Sequence, residues 1–282
     1  MIVTSRRRKR TARTSQYVLL ALYMLFLAFP LLWMLSVSFK TPRELVELHP
    51  SFLPDSVSLS NYREALDTDR LVTSAVNSLK IALATSLLTT ILGLPAAYVL
   101  ARYKGLLSRL GTGWILLTQV FPLILVIIPL FLWLRRLHLT NTHTGLVLVY
   151  LVWALPFTLW MLQSYIRGIP TDLEEAAAVD GASRLRTLIH VIAPLLLPGV
   201  IVTVMFAFVL SWNEFFFALV LLQDPSLTTL PVTLAQFVGI EGIPRLGPLA
   251  AAALLATLPS LVFFGVMQRW LTGGLLSGAV KG

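Results

Sequence analysis

Residues 144–163 read TGLVLVYLVWALPFTLWMLQ and lie within a stretch, 137–166, that contains no Asp, Glu, Lys or Arg. An α-helix of about 20 residues is about 30 Å long, which matches the hydrocarbon core of a lipid bilayer. A helix in a soluble core rarely needs such a long uninterrupted apolar segment. The stretch therefore predicts a helix that spans a membrane.

Five other stretches of at least 21 residues also lack charged side chains. In lipid, backbone polar groups must be bonded within the segment, which favours helices, and the alternating pattern of barrel strands is absent. We therefore predict an all-α polytopic membrane protein with six transmembrane helices and no soluble domain. The predicted spans lie near residues 17–39, 76–101, 113–134, 144–163, 195–222 and 248–268.

The basic residues predict the orientation, because Lys and Arg that flank a span resist translocation. With the N-terminus in the cytoplasm, 14 of the 22 basic residues fall in inner segments and seven in outer segments. This distribution favours a cytoplasmic basic tail at 1–16, a transmembrane domain at 17–268 and a cytoplasmic tail at 269–282. Residues 164–194 then form a cytoplasmic loop.

The net charge of +9 raises the alternative of a nucleic-acid partner. Most of this charge flanks the predicted spans, so topology and anionic lipid explain it more simply. We therefore interpret the run RRRKR at 6–10 as a topology anchor. The apolar stretch that follows it exceeds the roughly 7 to 15 residues of a signal peptide, which disfavours cleavage.

The sequence lacks the patterns of an enzyme that acts within the membrane. It contains no Cys, so it can form neither a disulfide nor a thiolate. Its four His residues lack the H-E-x-x-H spacing, and no G-x-S-x-G elbow occurs, so we expect no catalytic and no metal site. The phosphate loop G-x-x-x-x-G-K-[ST] is also absent, so this chain should not bind ATP itself.

Small residues recur at four-residue spacing in the second predicted span, at Ala82 and Ser86 and again at Gly93 and Ala97. Such stripes let helices approach closely in lipid. The sequence leaves open whether they pack within the chain or against a second subunit.

The loop between the fourth and fifth predicted spans contains PTDLEEAAAVDGASRL at 170–185. Thr171 is predicted to cap a short helix, with Glu174 completing a capping box, and Gly181 is predicted to end it with a positive φ. Ser183 then starts a second helix. The result is a slim, acid-tipped helix that suits a groove on a cytoplasmic partner. A well-capped interfacial helix, with its acids serving only the helix dipole, is an equally open interpretation.

Residues 175–177 (EAA), Gly181 and 191–194 (VIAP) resemble the EAA loop of ATP-binding-cassette importer permeases. The departures, Val191 and Ala193, keep the apolar character of that pattern. The resemblance implies a type I importer permease fold, in which this loop is a coupling helix docked in a cleft of an ATPase subunit. The candidate coupling residues are Glu174, Glu175, Ala176, Ala177, Asp180, Gly181 and Pro194, the last at the expected start of the fifth span.

Three further stretches are similar to the smaller permease of maltose-type carbohydrate uptake systems. They are SWNEFFFALVLL at 211–222, TLPVTLAQF at 229–237 and QRWLTGGLLSGAVKG at 268–282. The resemblance implies a second permease, forming a heterodimer, two ATPase subunits that bind ATP and Mg, and an extracytoplasmic sugar-binding protein. It also implies the plasma membrane of a prokaryote, with both termini cytoplasmic.

Asn213 and Glu214 interrupt the apolar run of the fifth predicted span. An ionisable side chain at such depth is costly unless it faces a cavity or a partner. We predict that Asn213, Glu214 and Phe216 line the translocation path or the interface with the second permease. A Glu214 side chain that reaches the outer membrane surface is the alternative.

The outer segment between the last two spans contains Gly239, Glu241 and Gly242. By resemblance, we expect these residues to contact the binding protein, with a solvated loop as the alternative. The predicted function is therefore that of a permease subunit of an ATP-driven sugar importer. An ion-coupled secondary transporter or a permease for a non-sugar solute remains the alternative, although Lys80 and Glu214 are the only charged residues deep in the predicted spans.

Overall fold

The structure is a computed structural model that describes residues 3–47, 49, 51–67, 70–103, 105–120, 122–238 and 245–278. Its regular elements in these ranges are α-helices, with one short 3-10 helix and one π-helical turn. The helices are α1 (Val3–Phe39), α2 (Ser60–Asp67), α3 (Leu71–Arg102), α4 (Leu106–Val120), α5 (Leu123–Arg136), α6 (His143–Arg167), α7 (Asp172–Val179), α8 (Arg184–Thr187), α9 (Ala193–Leu195), α10 (Leu197–Trp212), α11 (Phe216–Leu221), α12 (Leu230–Ala235) and α13 (Leu246–Gly278). The 3-10 helix is Glu44–Val46, and the π-helical turn is Leu188–Ile192.

Within the described residues, four helices are long and apolar enough to cross a membrane, and a bent pair would make a fifth span. These four are Arg13–Phe39, Leu71–Arg102, His143–Arg167 and Leu246–Trp270. They cover four of the predicted spans, and the predicted number of six crossings stays a prediction.

The predicted third span, 113–134, is not one continuous helix. The helix α4 ends at Val120, and α5 begins at Leu123 with Pro122 at its N-cap. Proline has no N–H to donate to a preceding turn and its ring crowds the helix before it, so a helix boundary at this position has a clear cause.

The predicted fifth span, 195–222, is also interrupted. Its main part, α10, begins at Leu197 and ends at Trp212, and the short helix α11 follows at Phe216–Leu221. The helical segment Arg184–Leu195 precedes α10 and makes an angle of 82° with it. The predicted start of the span at residue 195, beside Pro194, lies two residues before the first residue of α10, and Pro194 itself lies in the segment before the bend.

The chain divides into two compact units, of which the larger comprises Asp69–Ala235 and Ala256–Gly282. In this unit α3 packs against α6 and α10. Ala82 and Ala97 are fully buried, and a Cβ on Gly93 would lie 3.0 Å from the Thr158 methyl of α6. These small residues therefore bring the helices of this chain together, which answers the question that the sequence left open.

The smaller unit comprises Met1–Thr68 and Gln236–Leu255. Its buried Asn61 donates hydrogen bonds to the carbonyl oxygens of Ser38 (3.0 Å) and Lys40 (2.7 Å). Since these bonds satisfy two backbone acceptors at the end of α1, Asn61 joins α2 to that end.

Glu44 organises the segment that follows α1. Its carboxylate accepts hydrogen bonds from the backbone N–H and hydroxyl of Thr41 and from the N–H groups of Asp55 and Ser56. These bonds, with that of the Thr41 N–H the largest, lower the pKa of Glu44 from its ordinary 4.5 to about 2. The segment from Thr41 to Ser56 is thus ordered around one carboxylate.

Gly247→Ala is expected to destabilise the smaller unit. The new Cβ would lie 2.3 Å from the Asn61 Oδ1 atom, and Asn61 cannot withdraw without losing its bonds to Ser38 and Lys40. Overpacking of this kind costs about 1–3 kcal/mol. We expect a lower midpoint of thermal unfolding in detergent, monitored by tryptophan fluorescence.

The matched control is Gly265→Ala in the same helix, because a Cβ there meets no atom within 4 Å. Alanine has the better helix propensity, so this variant should unfold at the wild-type temperature or above it. Equal midpoints for the two variants would contradict the packing of Asn61 on Gly247.

Candidate functional site

The helix α7 carries the acidic residues of the loop, but its N-terminus differs from the prediction. The capping box is wrong, because Thr171 has helical backbone angles (φ −70°, ψ −23°) and its side chain accepts no capping hydrogen bond. The Glu174 N–H instead donates to the Thr171 carbonyl oxygen, at 2.9 Å. The Glu174 side chain does not return to the helix start, because residues of α3 bind it.

The Glu174 carboxylate is held at the end of α3. It accepts hydrogen bonds from the Tyr98 hydroxyl, at 2.7 Å, and from the Arg102 Nε, at 2.6 Å. Arg102 also donates from its Nη2 atom to the Ile169 carbonyl oxygen, at 2.9 Å. The Arg102 and Glu174 side chains are only 13% and 15% exposed, so solvent screens their ion pair weakly. We name Tyr98, Arg102 and Glu174 the α3–α7 clamp.

The opposite face of α7 is open to solvent. Glu175, Ala176 and Asp180 are exposed, and Val179 is 88% exposed. The two adjacent glutamates therefore have different surroundings, since residues of α3 bind Glu174, whereas Glu175 is exposed. Ala177 lies between these faces and is half-buried.

The end of α7 has the predicted geometry. Gly181 has φ +80°, which an L-residue with a Cβ adopts only at a cost. The Gly181 N–H donates to the Ala178 carbonyl oxygen (3.0 Å) and the Ala182 N–H to that of Ala177 (2.9 Å), as in a Schellman motif. Ser183 then caps α8 as predicted, because its hydroxyl oxygen accepts a bond from the Arg186 N–H at 3.4 Å.

A cleft of about 420 Å³ lies beside α7. The Arg184 guanidinium lies 5.0 Å from the centre of the Tyr103 ring, a cation–π contact that helps to shape its wall. The cleft mixes guanidinium, carboxylate and phenol groups at the junction of α3 with the loop. Its lining residues are Tyr98, Arg102, Tyr103, Thr171, Glu174, Glu175, Ala178, Ala182, Arg184 and Thr187.

The structure separates the three residues predicted for the path or interface. Asn213 and Phe216 are exposed, whereas Glu214 is only 6% exposed. The Glu214 carboxylate accepts hydrogen bonds from the Tyr150 hydroxyl (2.6 Å) and from the N–H groups of Phe217 (2.8 Å) and Ala218 (3.1 Å). Glu214 therefore caps α11 within the chain, and it does not extend to a surface as the alternative prediction supposed.

An apolar cavity of about 450 Å³ lies next to this capped helix, among α4, α5, α6 and α11. Trp114 and Trp153 contribute to its wall, and Phe217 closes one side. Trp153 and Phe217 meet edge to face, with ring centres 5.9 Å apart. The prediction that Asn213, Glu214 and Phe216 line a translocation path is neither supported nor contradicted by these contacts.

The predicted binding-protein residues Gly239, Glu241 and Gly242 lie outside the described residues. The segment before them is held firmly. The Asn77 amide donates to the carbonyl oxygens of Ser226 (2.9 Å) and Thr228 (3.1 Å).

Sequence reasoning missed Tyr98, Arg102 and Tyr150. Tyr98 and Arg102 lie four residues apart at the end of one span, a spacing that places two donors on the same helix face. That spacing beside an acidic loop was an available signal. Tyr150 gave no such signal, because the sequence does not distinguish a Tyr that donates a hydrogen bond within a span from one that only packs there.

Comparisons with known proteins identify the family to which the chain is similar. The profile of the family described as "Binding-protein-dependent transport system inner membrane component" matches residues 89–275. The protein ORF1 of Streptomyces antibioticus, assigned as an ABC transporter permease, is 56% identical over 229 residues, which cover 81% of this chain and 100% of ORF1. The trehalose transport system permease protein SugB of Mycobacterium tuberculosis is 37% identical over 274 residues, 96% of this chain and 99% of SugB.

A solved structure extends the likeness to the fold. A chain of a bacterial ABC transporter involved in the import of the acidic polysaccharide alginate superposes with a TM-score of 0.81. The match covers 93% of this chain and 97% of the other, at 24% sequence identity. At that identity the likeness shows a shared fold.

Glu174→Gln is expected to loosen α7 from α3, because the neutral amide forms no ion pair with Arg102 and its NH₂ group cannot accept one of the two hydrogen bonds that the carboxylate accepts. Hydrogen bonds to charged groups contribute about 1.5–3 kcal/mol, so the loop should open more often. We expect faster amide hydrogen exchange in α7, by roughly tenfold or more. Hydrogen exchange with mass spectrometry of the intact protein measures this.

Glu175→Gln is the matched control, since it removes a neighbouring acid on the exposed face of the same helix. It should leave the exchange of α7 close to that of the wild type. Similar protection in both variants would argue against the α3–α7 clamp.

Proposed function

The chain belongs to the family of inner membrane components of binding-protein-dependent transport systems, and from that premise we propose that it is the permease subunit of an ATP-driven sugar importer. The family and the apolar helices make it a multi-pass protein of the plasma membrane. Its relative SugB belongs to a trehalose transport system, which supports a sugar or oligosaccharide as the solute.

One observation carries the proposed coupling mechanism. The helix α7 exposes Glu175, Ala176, Val179 and Asp180 on one face, while the α3–α7 clamp binds its other face to α3. A partner that grips the exposed face therefore moves the end of α3 as well. Because α3 packs against α6 and α10, such a displacement reaches the core of the larger unit.

The energy source in this proposal is a pair of ATPase subunits, since the sequence has no phosphate loop of its own. Closure of the ATPase pair draws the two coupling helices together and favours an outward-facing state, and hydrolysis reverses this. Coupling is reciprocal, so delivery of solute by an outer binding protein should also favour ATPase closure. ATP and Mg are bound by the partner subunits.

The fit of α7 in the ATPase cleft contributes more than its charge. An exposed ion pair between Glu175 and a basic partner residue stabilises the contact by about 0–1 kcal/mol. Ala176 and Val179 present a narrow apolar surface, and Gly181 lets the chain turn away directly behind it. Removal of apolar surface from water is therefore the main contribution in this proposal.

The remaining proposals concern the second permease, the orientation of the chain and the contacts of its outer residues. The second permease forms a heterodimer with this chain, and both termini and α7 lie in the cytoplasm. Asn213 and Phe216 face the translocation path or that heterodimer, with Glu214 holding α11 in place behind them. Gly239, Glu241 and Gly242 contact the docked binding protein.

Uptake driven by ATP tests the proposed function. The chain, its partner permease and ATPase subunits are reconstituted in proteoliposomes with the binding protein and radiolabelled trehalose, maltose or another disaccharide. We expect uptake to require ATP inside the vesicles and to continue when an ionophore dissipates ion gradients. Uptake that stops with the ion gradient while ATP is present would instead support the ion-coupled alternative.

A single cysteine tests the proposed contact of α7, because the natural chain has none. In the assembled transporter with cysteine-free partners, Val179→Cys should form a cross-link to an ATPase subunit with a short thiol–amine reagent. Val57→Cys is the control, as it is 76% exposed in the predicted outer segment and should form none with the ATPase. A Val179→Cys variant that reacts only with an impermeant reagent added outside intact cells would refute the cytoplasmic placement.

A further inference from the structure

The segment Arg184–Leu195 follows α7 and runs across the chain at a large angle to a span. It consists of α8, the π-helical turn and α9, and it makes an angle of 82° with α10. Transmembrane helices tilt from the bilayer normal by about 20° on average. If α10 crosses the membrane with such a tilt, Arg184–Leu195 lies close to the plane of the bilayer surface.

An aromatic residue of α6 lies beside the bend between Arg184–Leu195 and α10. The Tyr165 ring near the end of α6 packs against Gly199 at the start of α10, where a Cβ would lie 2.8 Å from the ring. Tyr165 is exposed, and so is Trp160, which lies about 7.5 Å further along the axis of α6. Tyr and Trp are enriched where spans meet the lipid headgroups, so the bend before α10 lies at a membrane interface.

One face of the segment is fixed by packing. Leu188 and Ile192 are buried in a cluster with Ala97 of α3 and with Leu162 and Ile166 of α6. The segment therefore cannot rotate freely about its axis, and its remaining faces have a defined direction.

The outward faces are amphipathic. Leu185 and Ile189, four residues apart, are 65% and 53% exposed and form an apolar stripe. Arg186 and His190, also four residues apart, form a polar stripe beside it, and both are exposed. An apolar stripe bordered by basic residues is the pattern of a helix that lies in the boundary between headgroups and acyl chains.

The two arginines of this surface form no ion pair with the acids that the structure describes. Across the described part of the chain, no carboxylate lies within 4.0 Å of the guanidinium of Arg184 or Arg186. Arg184 stacks on Tyr103 and lines a cleft together with Glu174 and Glu175, whereas Arg186 is exposed outside that cleft. A partner that fits must therefore offer both apolar chains and negative charge.

We propose that Arg184–Leu195 is an interfacial helix that binds anionic phospholipid. Leu185 and Ile189 enter the acyl boundary, and the guanidinium groups of Arg184 and Arg186 bind the lipid phosphate. This surface is separate from the exposed face of α7. Since only the four residues Asp180–Ser183 separate the two helices, the lipid contact sets the height of α7 relative to the membrane.

Site-specific quenching by brominated lipids tests the proposal. The complete transporter, with Leu185→Cys labelled by bimane and cysteine-free partners, is placed in nanodiscs that contain brominated phosphatidylglycerol or brominated phosphatidylcholine. A basic residue near an anionic surface favours binding by about fivefold. We therefore expect the apparent association of phosphatidylglycerol at this label to exceed that of phosphatidylcholine by at least that factor.

The preference should fall to near unity in the double variant Arg184→Gln/Arg186→Gln and persist in Arg136→Gln, which removes a basic residue at the end of α5. A bimane at Val152, exposed within α6, should be quenched equally by both lipids. Ile189→Cys provides a second label if Leu185→Cys fails to assemble.

Two results would overturn the proposal. Equal quenching by both lipids at residues 185 and 189 would show an ordinary apolar contact with no selectivity for anions. No quenching there, with normal quenching at Val152, would show that a protein partner covers the segment. Because the readout does not use transport, neither result bears on whether the solute is a sugar.

Discussion

The carboxylate of Glu174, bound by Tyr98 and Arg102, joins the loop between the fourth and fifth predicted spans to the end of α3. Without this contact α7 would be an eight-residue helix with no buried residue, and a helix of that length has little stability of its own. The ion pair is largely shielded from water, so it holds the helix in one position rather than in many. A rigid attachment of this kind is needed if an event at the exposed face is to move a span.

A buried carboxylate within a predicted span is likewise stabilised by hydrogen bonds within the chain. Glu214 lies at a break between α10 and α11, where the first N–H groups of α11 have no partner in the preceding turn. Its carboxylate satisfies two of these groups and accepts the Tyr150 hydroxyl as well. The cost of a buried carboxylate is thereby offset locally. The hydrogen bonds of Glu214 thus give it a structural role at this break.

Much of the fold was predictable because the bilayer restricts the possible structures. Long charge-free stretches predicted the helices α1, α3, α6 and α13. The length and composition of such a stretch identify it without any knowledge of what it packs against. The helix in the predicted third span is interrupted at Pro122, because proline disrupts a helix in a way that the absence of charged residues does not reveal. The end of α7 was predictable because glycine is the residue that most readily adopts the positive φ required at position 181. Its start was not, because the Glu174 side chain had two competing sets of partners.

The sequence by itself determined the all-helical membrane class and the presence of a slim acidic helix in a polar loop, since each follows from composition or from local backbone chemistry. Only the tertiary structure decided that Glu174 turns inward while Glu175 stays exposed, and that Glu214 caps α11. It also decided the 82° bend that separates Arg184–Leu195 from α10. These outcomes depend on donors distant in the sequence and on packing against other helices, and no local pattern records which of the competing contacts has the lower free energy.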